Sequence, residues 1–309
     1  MQSTNSIFLV KPTSFAFNKE TAKSNVFQNE AKISENEIQK RTLIEFNKLA
    51  KTLTQHGVEV LIFDDTLEPE KPDAIFPNNW VSTHSQGVII LYPMMAKNRR
   101  LERREDILTD LKRKYKVKKV IDLSVFENEK KYLEGTGSVI LDRIHKLAFA
   151  CISPRTDKKL FKEYAEHIGY EPIYFSANDD NGKKIYHTNV IMTLGTHFVV
   201  ICLDAIKNRF KRKFIKEKLL QTQRAILEIN QQQVKYFAGN MLELKNSKGE
   251  TLIVMSSSAY KILKPTQKKI LKQNGKLVVI NIKTIESIGG GSVRCMIAEN
   301  FLEKNRTKK

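Results

Sequence analysis

The sequence has little of what marks stapled, fibrous or membrane-bound proteins. Its three cysteines, Cys151, Cys202 and Cys295, are widely spaced and odd in number. They form no CxxC pair and no Cys/His cluster, and HExxH is absent, so no zinc site is indicated. Free thiols in this pattern suit a reducing compartment, where each is by default a small core hydrophobe. Glycine and proline, 13 and 8 of 309 residues, are never concentrated into a linker. The short apolar run Ile7 to Val10 is cut by Lys11 and Pro12, too soon for a signal-peptide core, and nothing elsewhere approaches a membrane span. These absences predict a cytoplasmic protein without membrane contact.

What is present is globular: 41% apolar and 28% charged residues. The net charge of +19 comes from 53 basic and 34 acidic residues. Such a balance raises the question of nucleic acid. The lysines, however, are spread in short clusters such as "KRKYKVKK" (Lys112 to Lys119) that alternate with apolar positions as helix surfaces do, and no RNA-binding signature, zinc finger or basic arm is present. The charge favours anionic ligands weakly, and no specific nucleic-acid partner is expected. A basic nucleic-acid module with an inactive site stays as the contrasting class.

Short strands alternate with helices. "SIFLV" reads as a strand; Ser34 and Glu37 resemble a capping box opening a helix with Ile38, Leu43, Phe46, Leu49 and Leu53 on its apolar face; "VEVLIF" follows as a strand. The pattern recurs through "GVIILY", a helix from about Arg99 to Lys114 and "KVIDL", then "SVILD", "LAFAC", a helix over Lys158 to His167 and "YEPIYF". Next come "NVIMTL", "HFVVICL", a helix near Lys207 to Ile229 and a strand near "QVKYF". The last unit holds "NMLEL", "TLIVM", a helix near Ala259 to Gln273, "KLVVI" and "SVRCMIA". A strand–strand–helix–strand unit repeating about five times predicts an α/β chain of pseudo-repeating modules.

Three stretches could carry chemistry. "SIGGGSVRCMIAEN" places Gly289, Gly290 and Gly291, which permit close backbone approach, ahead of a strand-like segment bearing Cys295. "YHTNVIM" sets His187 at the mouth of an apolar strand, with Asn189 two residues on and so on the same side. "YLEGTGSVI" places Glu134 before a turn, and its "GTG" lacks the rest of a nucleotide fingerprint. A glycine turn with an inert thiol, a structural histidine and a solvated glutamate are the plain alternatives. Together the three make a coherent set: a thiol needs a hydrogen-bonding or positive neighbour to react as thiolate, histidine can carry protons, and a carboxylate can orient the imidazole.

"PDAIFPNNW", "LYPM…NRRLERR", "LEGTGS", "SPRTD", "YHTNV" and "GGGSVRCM", in that order, resemble the superfamily that acts on guanidino and ureido groups, which includes arginine deiminases, dimethylarginine hydrolases and amidinotransferases. With "FAFNKETAKSNVFQ" (Phe15 to Gln28), the chain is most similar to its citrulline-utilising branch, the citrulline ureidases, over the first strand to about Glu299. The resemblance implies a pseudo-fivefold α/β propeller of five ββαβ modules, with residues 1–309 as a single amidinotransferase-like (pentein) catalytic domain. It implies Cys295 as nucleophile, His187 as general acid/base and Glu134 as its orienting partner, with no metal or organic cofactor. Arg155, with Arg99 or Arg100, would match the groups that hold a substrate α-carboxylate, and Asp73 opens the substrate-side motif. A small ureido amino acid is the implied partner, and a homo-oligomer is left open.

Guanidino-processing relatives place carboxylates at the positions matching Asn79 and Asn189, whereas this chain has amides at both, with Asn78 beside the first. A guanidinium buried there without a counter-charge would cost several kcal/mol, on the order of 3–5. A neutral urea fits, because an amide both accepts from N–H and donates to a carbonyl oxygen. The reading is hydrolysis of citrulline to ornithine, ammonia and carbon dioxide through an S-carbamoyl enzyme, with an arginine deiminase or other guanidino hydrolase as the alternative.

Overall fold

The computed structural model describes residues 1–30 and 32–305. Fifteen strands form five separate three-stranded sheets. In chain order they are β1 (Ser6–Lys11), β2 (Glu59–Asp64), β3 (Val81–His84), β4 (Val88–Leu91), β5 (Lys119–Asp122), β6 (Val139–Asp142), β7 (Leu147–Cys151), β8 (Glu171–Phe175), β9 (Met192–Leu194), β10 (Phe198–Ile201), β11 (Ala225–Glu228), β12 (Leu242–Lys245), β13 (Thr251–Ser256), β14 (Lys276–Ile280) and β15 (Ala298–Glu299). Four sheets repeat one plan: β3-β4-β5, β6-β7-β8, β9-β10-β11 and β12-β13-β14 each have an antiparallel first pair and a parallel second pair. The fifth sheet has the same plan with its strands drawn from both chain ends, since β15 pairs antiparallel with β1, and β1 pairs parallel with β2.

Each parallel pair needs a crossover, and a helix supplies it: Glu35–Gln55, Glu105–Lys114, Lys158–His167, Arg209–Gln221 and Pro265–Asn274. Local chemistry sets where these helices start. The side chains of Ser34, Asp157 and Asn208 accept from backbone N–H groups of Glu37, Leu160 and Lys211. The Glu37 carboxylate turns to Arg41 instead, so only half of the expected capping box forms. Helix Glu35–Gln55 buries Phe46, Leu49 and Leu53 fully against Ile7, Leu9 and Val254, each such side chain contributing about 1.5–3 kcal/mol. Trp80 is buried with Phe8, Val81 and Leu111 in another cluster, which locks the turn before β3 to the sheet beside it.

Several boundaries differ from the sequence expectation. The stretch "QVKYF" is not a strand: Asn230 caps a short helix, Gln231–Lys235, in a reciprocal box with Gln233, and the strand is the earlier Ala225–Glu228. The long helix expected from Arg99 divides into a 3-10 turn, Asn98–Glu102, and Glu105–Lys114. The one near Ala259 divides before Pro265, which cannot continue a helix from the residue preceding it. Ser256 caps the first of these halves by accepting from the backbone N–H of Ala259. Among the described residues, no helix is long and apolar enough to cross a membrane.

Candidate active site

Four of the polar motifs share one structural position: each lies in the tight turn that feeds the first strand of a sheet. The 3-10 turn Pro77–Asn79 precedes β3, Gly135–Ser138 precedes β6, Thr188–Val190 precedes β9 and Val293–Met296 precedes β15. His187 therefore caps a 3-10 turn and Asn189 lies within it, rather than the two alternating along a strand, and Cys295 sits in a helical turn rather than in the strand expected from "SVRCMIA". Gly290, in the left-handed region at φ +62°, ends helix Lys283–Gly289 and reverses the chain toward Cys295.

Asp73, Asn79, Arg99, Arg155, His187 and Cys295 line one small cavity, closed in also by Asn25, Phe76, Tyr186 and Gly289 to Gly291. Its volume is about 20 Å³, room for roughly one water. Segment 18–28 covers it. Asn25 Nδ2 donates to the Gly289 carbonyl at 3.2 Å, Arg155 Nη2 to Ser24 Oγ at 2.6 Å, and Asn18 Nδ2 to Asp73 Oδ2 at 2.8 Å.

Glu134 is fully buried and accepts from His187 Nε2 at 2.8 Å, with Arg155 Nη1 at 3.5 Å from the same oxygen. Burial alone would raise the Glu134 carboxyl, but Arg155, His187 and Arg99 outweigh it and hold the group below the usual carboxylate range. An ionised carboxylate only accepts, so the His187 proton sits on Nε2 and the Nδ1 lone pair stays free. Burial pushes the imidazole down against the pull of Glu134, which keeps that lone pair available near neutral pH. Gly137 lies against it: a Cβ there would stand 2.8 Å from His187 Nδ1 and 2.4 Å from Asn79 Nδ2, so only glycine fits.

Arg99 is buried and held by Glu102 through two hydrogen bonds, 2.7 and 2.9 Å, with Asp73 at 3.6 Å. Its Nη1 donates to Asn79 Oδ1 at 3.0 Å. A guanidinium has no acceptor, so this contact fixes which way the Asn79 amide points. Nδ2 of Asn79, buried and without a hydrogen-bond partner among the described residues, is left on the side of Gly137 and His187. Asp73 Oδ1 and Asn189 Oδ1 are likewise buried and unpartnered. Asn189 Nδ2 reaches Cys295 Sγ at 3.4 Å. Cys151 and Cys202 are different thiols, pushed up to about 12 and about 11 by burial in the core.

Four expected residues do not line the cavity: Glu134 and Asn189 reach it through their contacts with His187 and Cys295, while Arg100 and Asn78 do not. Arg100 points away, donating to the Met94 carbonyl and pairing with Glu127 at 3.2 Å, because the 3-10 turn that turns Arg99 inward turns its neighbour outward. Asn78 is fully buried but is not among the residues that line the cavity. The sequence reading passed over Glu102, which holds Arg99, and Asn240, whose Nδ2 lies 3.3 Å from Cys295 Sγ. A signal for Asn240 existed: "NM" before "LEL" repeats the asparagine-then-apolar-strand order of "NWV" and "NVIM". No group of three or more His, Cys, Asp or Glu among the described residues is placed to hold a metal.

Five sheets of one plan, with a thiol, an imidazole and a carboxylate at the turns that feed them, give a mixed α/β fold of the pentein type. The chain belongs to the N,N dimethylarginine dimethylhydrolase, eukaryotic, family, whose model matches residues 11–302. No curated protein matches the chain. Among solved structures, it is similar to apo ArgZ, an arginine dihydrolase from the ornithine–ammonia cycle in cyanobacteria, with TM-score 0.73 and 17% identity over 95% of this chain. It spans only 40% of that protein's length, but 99% of the separately solved N-terminal domain of ArgZ bound to substrate, again with TM-score 0.73 and 17% identity, over 96% of this chain. It is also similar to DDAH from Pseudomonas aeruginosa in complex with citrulline, with TM-score 0.67 and 15% identity over 96% of this chain and 99% of that one.

Proposed function

We propose that the chain is a cysteine-dependent hydrolase of the ureido group of citrulline, of the citrulline-ureidase branch, and that its five modules form a single-domain propeller around the site. The observation that carries this reading is the Arg99-fixed amide of Asn79, which turns an N–H, not a carboxylate oxygen, toward Gly137 and His187. Attack on a ureido carbon develops an oxyanion, which an N–H stabilises and a carboxylate repels. Asn189 Oδ1 supplies a neutral acceptor for a ureido N–H.

In the proposed cycle His187 Nδ1 first takes the Cys295 thiol proton, the thiolate adds to the ureido carbon, and His187, held by Glu134, hands that proton to the departing nitrogen as the carbon–nitrogen bond breaks. Water, deprotonated by His187, then cleaves the S-carbamoyl group and returns the thiolate. Citrulline and one water give ornithine, ammonia and carbon dioxide. Asp73, through its free oxygen, would take the substrate ammonium, and Arg155 would take the carboxylate. Arg99 acts by orienting Asn79. A cavity of about 20 Å³ cannot hold an amino acid, so segment 18–28 has to release Arg155 and Asp73 before substrate enters.

The guanidino alternative draws support from the family itself and from the free carboxylate oxygen of Asp73. One experiment separates the two: the purified protein is incubated with citrulline labelled at the ureido carbon and, in parallel, with arginine labelled at the guanidino carbon. Labelled carbon dioxide from citrulline with little reaction of arginine is the expected result. Citrulline accumulating from arginine would make the protein a deiminase and overturn the reading. Carbon dioxide from both would make it a dihydrolase. Cys295→Ser is expected to lower turnover by at least about 10³-fold with an unchanged circular dichroism spectrum, and near-normal activity would remove the covalent mechanism.

A further inference from the structure

Four of the five strand-feeding turns carry the residues discussed above; the turn before β12 carries Asn240, which is 2% exposed. Its side chain makes three contacts. Oδ1 accepts the backbone N–H of Arg294 at 3.0 Å, while Nδ2 lies 3.3 Å from Cys295 Sγ and 3.1 Å from the Asn189 carbonyl. The orientation is unambiguous, because the Arg294 N–H can only donate and the Asn189 carbonyl can only accept. The amide group of Asn240 therefore faces the sulfur with hydrogens. Asn189 Nδ2, 3.4 Å away on another turn, faces the same sulfur.

We infer that Asn240 is a catalytic residue that holds the Cys295 sulfur as the thiolate, jointly with Asn189, and fixes its position through the Arg294 amide. This rests on Cys295 being the nucleophile proposed above. Among the described residues, no ammonium or guanidinium is hydrogen-bonded to Cys295 Sγ, so these neutral amides are its directed donors. Two N–H donors suit an anionic sulfur, which accepts strongly, better than a thiol, which accepts weakly. The same donors act twice in the proposed cycle. They favour the thiolate before attack, at some cost in intrinsic nucleophilicity, and they stabilise it again as the leaving group when water cleaves the carbamoyl–sulfur bond. Cys151 and Cys202, which no side-chain amide among the described residues reaches, provide the internal contrast.

The test needs no substrate. Iodoacetamide alkylation of Cys295, followed by mass spectrometry of its peptide, is measured against pH for wild type, Asn240→Ala and Asn240→Asp. The aspartate variant keeps an oxygen for the Arg294 N–H but turns its second carboxylate oxygen toward the sulfur. Asn240→Ala should raise the alkylation midpoint by about one pH unit, as expected for losing one hydrogen bond to a charged group, and Asn240→Asp should raise it further. Circular dichroism and the melting temperature establish that each variant is folded. A folded Asn240→Asp with the wild-type midpoint would overturn the inference and leave Asn240 as a backbone anchor. Raised midpoints in a protein that consumes neither citrulline nor arginine would support the inference while removing the proposed function.

Discussion

Two of the buried charge clusters in this molecule are built to opposite rules. At the edge of β6, Asp142 receives Arg224 through two hydrogen bonds, 2.6 and 2.9 Å, along with the backbone N–H groups of Ile144 and His145, and Arg224 Nε finishes on the Gly195 carbonyl. Neither side chain leaves a buried polar atom without a partner. At the cavity, by contrast, Asp73 and Asn79 on its lining and Asn189 beside Cys295 each keep one buried atom without a partner among the described residues. A protein tolerates such orphans, at about 1–3 kcal/mol each, where a ligand is to complete them. The first cluster ties β6 to the segment before β11 and serves the fold; the second gives up stability to stay incomplete.

Breaking the satisfied cluster should have the largest effect on stability. Arg224→Met strands the Asp142 carboxylate in the interior, and urea unfolding should show a loss of about 3–5 kcal/mol. The fraction that remains folded should turn over substrate normally; a loss below 1 kcal/mol would mean that the cluster is not what ties these modules together. Asn79→Asp inverts the pattern, with little change in stability because Arg99 remains paired. Citrulline turnover should fall by about 10²–10³-fold, the usual effect of losing one oxyanion donor. An unchanged rate would mean that the cavity does not read a neutral urea.

How far the two clusters could be read from sequence differs in the same way. Strand and helix identity was legible in hydrophobic periodicity, as in Lys158–His167, whose bounds match the expected helix. The cavity residues were legible as motifs because unusual composition, two amides before the single tryptophan, marks a place where ordinary packing does not decide. What stayed hidden was direction. Nothing in "NRRLERR" says that Arg99 turns inward and Arg100 outward, since a 3-10 turn and the burial of Glu102 decide it. The Asp142–Arg224 pair, 82 residues apart in the chain, and Asn240 beside Cys295 depend on which sheets become neighbours, and local pattern does not encode that.

The smallest expected effect lies in the pH dependence of stability, where the clusters should differ in sign. Burial raises the Asp73 carboxyl above its ordinary range, and Arg99 and Asn18 only partly offset this. For Asp142, burial pushes the same way but the Arg224 hydrogen bonds and the His145 amide win, so the group is lowered. A raised carboxyl binds its proton more tightly in the folded state, so its stabilising contribution is present below the unfolded value of about 3.9 and is lost as pH rises. A lowered one contributes above that value and loses its contribution as pH falls. Asp73→Asn should therefore stabilise the protein at pH 7, by on the order of 1 kcal/mol, with the gain vanishing toward pH 3. Asp142→Asn should destabilise at pH 7, and that deficit should also narrow toward pH 3. Urea midpoints of both variants between pH 3 and 8 give the signs directly. A destabilising Asp73→Asn at neutral pH would mean that its pairing with Arg99 outweighs its burial, and that the cavity is not held open at the expense of the fold.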